Sequence, residues 1–243
     1  MKKRILVCCN DIAIESALLR KLRYNNKWEV DVYSIHEHCK WAYWLRYEKF
    51  KLITLVGSPK RQKWDFIIAD SPDFIKKLER EGEKLIFLNF CNQKNFIKIE
   101  NITQIYIENI FGIYFSNKNR MAEICLKVLG KQKEYTLKKC SSNFVYIDDA
   151  IDSILNQLEE LSDPYYVVKE WRYSEKEIIE FFLLISKIQN AKFYILEEND
   201  VHIGRKEKYI TINPEETIYE RLVSIYEFYE DNFSYYTNCK ENK

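Results

Sequence analysis

At 243 residues, with 47% hydrophobic and 15% aromatic residues, the chain can bury a full core and lies far from a disordered composition. Its 38 Lys and Arg against 37 Asp and Glu leave a net charge of +1, without the basic excess of a nucleic-acid binder. Seven cysteines without CxxC spacing, no export signal and no stretch near the roughly 20 apolar residues of a membrane span point to reduced thiols in a cytoplasmic protein.

The apolar run after Met1-Lys2-Lys3-Arg4 ends at Asn10-Asp11, too short for a signal-peptide core, and reads as a first strand. Ile12–Arg23 carries Ile14, Leu18 and Leu22 at helical spacing. Val30–Tyr33, Phe50–Val56, Phe66–Ala69 and Leu85–Leu88 read as further strands, with a short helix over Phe74–Arg80. These strands are continuously apolar rather than alternating, the pattern of a parallel sheet covered on both faces. Later, Ile105–Phe111, Asn143–Ile147 and Tyr165–Val168 are strand-like, and Arg120–Leu129 and Asp149–Leu161 are helical. Ser174 followed by Glu177 forms a capping box that opens a helix through Lys187, and Thr217–Tyr229 is a last amphipathic helix. No repeat or Pro/Gly-rich linker marks a boundary.

Five segments occur in a telling order: Ile5–Leu22, Glu108-Asn109-Ile110-Phe111-Gly112, Gly130–Asp149 ending in Phe144-Val145-Tyr146-Ile147-Asp148-Asp149, Tyr166–Lys192, and Pro214–Leu222. Together they resemble the NAD-dependent epimerase/dehydratase family, the extended short-chain dehydrogenase/reductases that modify nucleotide sugars. The resemblance implies an α/β fold: a Rossmann-like parallel sheet with helices on both faces and a small C-terminal substrate-type lobe. It places the core in residues 1–105, and a lobe remnant plus a late strand and helices returning to the core in residues 106–243.

The chain departs from that family where the cofactor is held. Dinucleotide folds use three glycines in the first turn, for the turn itself, for backbone approach to the pyrophosphate and for helix–strand packing. Here those positions hold Cys9, Ile12 and Glu15, and Glu15 adds a carboxylate near a helix N-terminus. The acid expected after the second strand is Ser34, and the Asp expected after the third strand's Gly57 is Ser58. The expectation is therefore that no cofactor is held, with NAD or NADP as the alternative.

The family's chemistry uses a Tyr and a Lys four residues apart on one helical face. Tyr114 and Lys118 have that spacing, but only 25 residues separate Lys118 from Phe144, and the 16 between Leu88 and Ile105 are too few for the catalytic helix with its loops. The first expectation is a binding scaffold without NAD-dependent catalysis; the alternative is an active epimerase, dehydratase or reductase using Tyr114 and Lys118. The catalytic Ser/Thr expected after the fifth strand is replaced by Asn89, Phe90, Cys91 and Asn92.

Asn109 matches a family residue near the sugar nucleotide's diphosphate, and Ser142 replaces an Arg there, leaving Lys138 and Lys139 as candidate point charges. Asp148 and Asp149 read first as helix N-cap and first-turn charge. His36, His38 and Cys39 have no second ligand group, so no metal is expected. The partners implied are a sugar nucleotide and a protein related to active family members.

Overall fold

A computed structural model describes residues 2–23, 26–35, 54–56, 63–78, 82–90, 102–107, 110–115, 119–138, 144–162, 165–169, 174–196, 208–211 and 217–238. The strands are β1 (Lys3–Cys8), β2 (Trp28–Val32), β3 (Thr54–Leu55), β4 (Trp64–Ala69), β5 (Gly82–Phe90), β6 (Ile102–Ile107), β7 (Ile110–Phe111), β8 (Glu134–Lys138), β9 (Val145–Tyr146), β10 (Tyr165–Lys169), β11 (Lys192–Leu196) and β12 (Lys208–Thr211). The helices are α1 (Ile12–Leu22), α2 (Pro72–Leu78), α3 (Arg120–Leu129), α4 (Ile147–Gln157), α5 (Glu175–Ile185), α6 (Ile218–Asp231) and α7 (Phe233–Asn238).

Two compact units divide the chain. The first comprises residues 1–107, 147–169 and 207–212, and the second the remainder. The first unit is built on an eight-stranded sheet in the order β3-β2-β1-β4-β5-β6-β10-β12, parallel at every pairing. The expected Rossmann-like sheet is present. Its continuous apolar strands follow from burial on both faces: Ile5 to Cys8 and Ile67 to Ala69 are all fully buried. Leu6 and Cys8 share a core with Phe74, Ile75 and Leu78 of α2, together with Leu85 and Phe87. By strand alternation Ile5 and Val7 point to the opposite face, the one that α1 and α4 cover. Those two helices are tied by Arg20 to Asp148 at 2.5 Å and by Lys21 to Asp152.

Polar side-chain bonds tie β1, β2 and β4 together. Asp31 Oδ2 accepts from Arg4 Nη2 at 2.5 Å and from Trp64 Nε1 at 2.7 Å, while Asp65 accepts from the Arg4 amide at 2.6 Å. From β5, Lys84 donates to the carbonyls of Leu158 and Leu161 and so closes the carboxyl end of α4.

In the second unit β7 pairs with β9 and β8 with β11. Asn119 caps α3 by accepting from Met121 and Ala122, and its Nδ2 donates to Ile110 of β7. At the start of α3, Arg120 grips the buried Glu175 of α5 with two bonds, 2.8 and 2.9 Å, and donates to the Thr136 carbonyl of β8. The fully buried Tyr229 of α6 donates its hydroxyl toward the carbonyls of Phe115 and Gly112, at 3.1 and 3.4 Å. Both capping boxes form, Ser174 with Glu177 and Thr217 with Glu220.

The strand expected over Ile105–Phe111 is two strands, β6 and β7, in different sheets, and the helix expected from Asp149 begins at Ile147. Strands β8, β11 and β12 had no sequence-level expectation. Among the described residues, no helix is long and apolar enough to cross a membrane.

Candidate functional site

The path β1-α1-β2 leaves β1 to one side of the sheet, and β4 then pairs on its other side. In doubly wound sheets such a reversal marks the crevice where ligands bind, here beyond the carboxyl ends of β1 and β4. Two turns meet there. One follows β1 and holds Cys9, Asn10 and Asp11; the other follows β4 and begins at Asp70.

Asp11 is the N-cap of α1, its Oδ1 accepting from the Ala13 amide at 2.8 Å. The Asn10 and Asp11 amides donate to Asp70, to Oδ1 at 2.7 Å and Oδ2 at 2.9 Å. A carboxylate from β4 thus sits on the backbone donors that a dinucleotide fold offers to phosphate. Burial lifts the Asp70 carboxyl to about 6; the two amide bonds pull against this rise and the Asp11 carboxylate adds to it.

Of the sequence-derived cofactor positions, Cys9, Ile12, Glu15 and Ser34 come together here. Cys9 and Glu15 are fully buried, and Ile12 is half-buried. Glu15 does not confront the turn. Its Oε1 accepts from Ser34 Oγ at 2.8 Å, so its carboxylate lies at the end of β2. Burial, with the carboxylates of Glu15 and Asp70 reinforcing it, pushes the Cys8 and Cys9 thiols far above the ordinary range, which leaves both protonated and unreactive. Asn89, in the region of the expected Ser or Thr, is 2% exposed, and its Oδ1 meets no donor among the described residues.

Tyr114 lies in the second unit, between β7 and α3. Its φ of 69° is left-handed, it belongs to no helix, and its ring meets Phe228 edge-on at 5.1 Å. Lys138 is the last residue of β8, with its side chain outside the described set. Asp148 and Asp149 lie within the first turn of α4, and Asp148 is paired with Arg20. Ser58, Asn109, Lys118, Lys139, Ser142, Cys91, His36, His38 and Cys39 lie outside the described residues. Among the described residues no group of three or more His, Cys, Asp or Glu is placed to hold a metal ion.

Asp70 was invisible to sequence reasoning. It stands 59 residues from Asp11, and only the pairing of β1 with β4 brings the two turns together. The available signal was a lone acid directly after an apolar strand, Asp70 behind Trp64–Ala69.

No family model and no curated protein matches the chain. Solved structures do. UDP-glucuronic acid 4-epimerase from Bacillus cereus, in complex with NAD, superposes with a TM-score of 0.68 at 13% identity, over 95% of this chain and 99% of that one. dTDP-glucose 4,6-dehydratase from Bacillus anthracis, also in complex with NAD, gives 0.62 at 11%, over 97% and 99%. UDP-N-acetylglucosamine 4-epimerase from Methanobrevibacter ruminantium, in complex with UDP-N-acetylmuramic acid, gives 0.60 at 10%, over 96% and 100%. The chain has the extended short-chain dehydrogenase/reductase fold.

The expectation that no cofactor is held is corrected by these likenesses. Solved proteins with this fold carry NAD, which points to a nucleotide cofactor rather than to none. The physical reason lies in where the side chains go. Of the side chains that replace the three glycines, Cys9 and Glu15 pack inward, and the Asn10 and Asp11 amides are turned to an anionic group, the Asp70 carboxylate.

Proposed function

We propose that this protein binds a sugar nucleotide and holds a nucleotide cofactor at the crevice between β1 and β4, without proton transfer by Tyr114 and Lys118. The observation that carries the reading is the pair of backbone donors, Asn10 and Asp11, which hold an anionic group, the Asp70 carboxylate, at the end of β1. Those amides, with the N-terminus of α1, suit a phosphate, and Ser34 beside Glu15 stands at the strand end where ribose hydroxyls are read. When bound, a nicotinamide dinucleotide supplies hydride-transfer chemistry. The chain's own part is to orient it from the backbone and exclude water with the buried carboxyl ends of β1 and β4.

The absence of a working Tyr–Lys pair is supported by the Tyr114 backbone. A helical pair needs both residues on one helix, with the Lys one turn beyond the Tyr, and at φ 69° Tyr114 is not part of one. Its ring is committed to Phe228.

Calorimetry with NAD, NADPH and a UDP-hexose, alongside a chromatographic assay for sugar conversion, tests the proposal. Binding of a dinucleotide and of the UDP-hexose with no conversion is expected. No heat with any nucleotide overturns the binding part, and conversion that disappears in Tyr114→Phe overturns the catalytic part.

A further inference from the structure

Asp70 occupies the two amides with both of its oxygens, one to each donor. Among the described residues, the ionisable groups around it are all acidic or neutral. On the β1 side these are the Cys8 and Cys9 thiols and the carboxylates of Asp11 and Glu15, the former capping α1 and the latter bonded to Ser34. On its own side Ser71 Oγ accepts from the Asp73 amide, and among the described residues no cation pairs with Asp70. A diphosphate seated at this turn would meet the same two donors, and two anions cannot share them without a cation between.

We propose that Asp70 is a built-in competitor for the diphosphate of a nucleotide ligand, so that binding at the β1–α1 turn requires Asp70 to take up a proton and release the two amides. The inference rests on the proposed nucleotide site and adds to it a residue that sets affinity. It reverses the sequence-level view of the crevice: the obstructing charge comes from the end of β4, not from the lost glycines. Because burial holds the Asp70 carboxyl near 6, the exchange falls within reach of neutral solution. With only the protonated form competent, its share falls from about one half at pH 6 to about one hundredth at pH 8, an affinity loss of about 50-fold.

The test uses the full chain and NAD, whose diphosphate does not change charge over this interval. Dissociation constants are measured by calorimetry at pH 6 and pH 8 for the wild type, Asp70→Asn and Asp70→Ser, with circular dichroism to confirm folding; the second variant serves if the first does not fold. The wild type is expected to weaken by about 50-fold between the two pH values. The variants are expected to bind equally at both, and more tightly than wild type at pH 8. A wild-type slope that persists in either variant, or variants weaker than wild type at pH 8, overturns the Asp70 inference and leaves the nucleotide site standing. No NAD binding by any form at either pH overturns the nucleotide site itself.

Discussion

Asp70→Asn also has a consequence for folding that needs no ligand. The folded carboxyl titrates at about 6 against an ordinary 3.8, so the native protein keeps a proton that the unfolded chain has already released. Stability from this group is therefore greatest below pH 4, falls as pH rises through the interval up to about 6, and is level beyond it. The difference of about two pH units corresponds to about 3 kcal/mol, an upper bound because the carboxylate keeps some contact with solvent. Asn cannot ionise, so the variant lacks this fall. Urea denaturation of both proteins at pH 4, 5, 6 and 7 reads the effect as a stability difference that swings by up to about 3 kcal/mol in the variant's favour on going from acid to neutral. The reasoning fails if that difference is the same at every pH, since the charge on Asp70 would then carry no penalty.

Other consequences follow from the second unit and the turn before α3. Glu175→Gln leaves the Arg120 guanidinium without the partner whose bonds raise its proton affinity, and should lower stability by about 2–3 kcal/mol in a denaturant titration; a loss under half a kcal/mol would show that the pair is immaterial. Thr217→Ala removes the capping oxygen of α6, and about 1 kcal/mol with it, readable as a lower midpoint at unchanged slope. Tyr114→Phe should leave any sugar-converting activity unaltered, whereas removing a true acid–base group lowers the rate by about a hundredfold or more.

The sheet was readable because burial on both faces leaves a direct imprint: unbroken apolar runs such as Ile67-Ile68-Ala69 have no other simple explanation in a chain this charged. Helix boundaries were readable where side chains do the capping, as at Ser174 and Thr217, because the bonding residues are local. Strand β11 went unread although Phe193-Tyr194-Ile195-Leu196 is a short apolar run. Tyr194 and Ile195, on opposite faces, are 50% and 68% exposed, so neither face of the strand is consistently buried. The break between β6 and β7 falls at the polar pair Glu108-Asn109, and composition alone cannot say that the chain changes sheets there rather than continuing as one strand.

The site was legible only in part, for a geometric reason. Aligning Cys9, Ile12 and Glu15 with glycine positions identifies which residues sit at the turn, but not where their side chains go. Glu15 turns to Ser34 at β2, 19 positions away, and the carboxylate that meets the turn arrives from Asp70. Counting lost glycines led to an expectation of no cofactor. Following the backbone donors leads to an anion site that is still made and is held by the protein's own carboxylate.

The most direct measurement is a crystal structure grown near pH 5 in the presence of NAD. The account predicts diphosphate density against the amides of Asn10 and Asp11, with the Asp70 side chain swung away or protonated beside it. NAD bound in the crevice while Asp70 still accepts both amides, or crystals with no nucleotide density near β1 and β4, would contradict it.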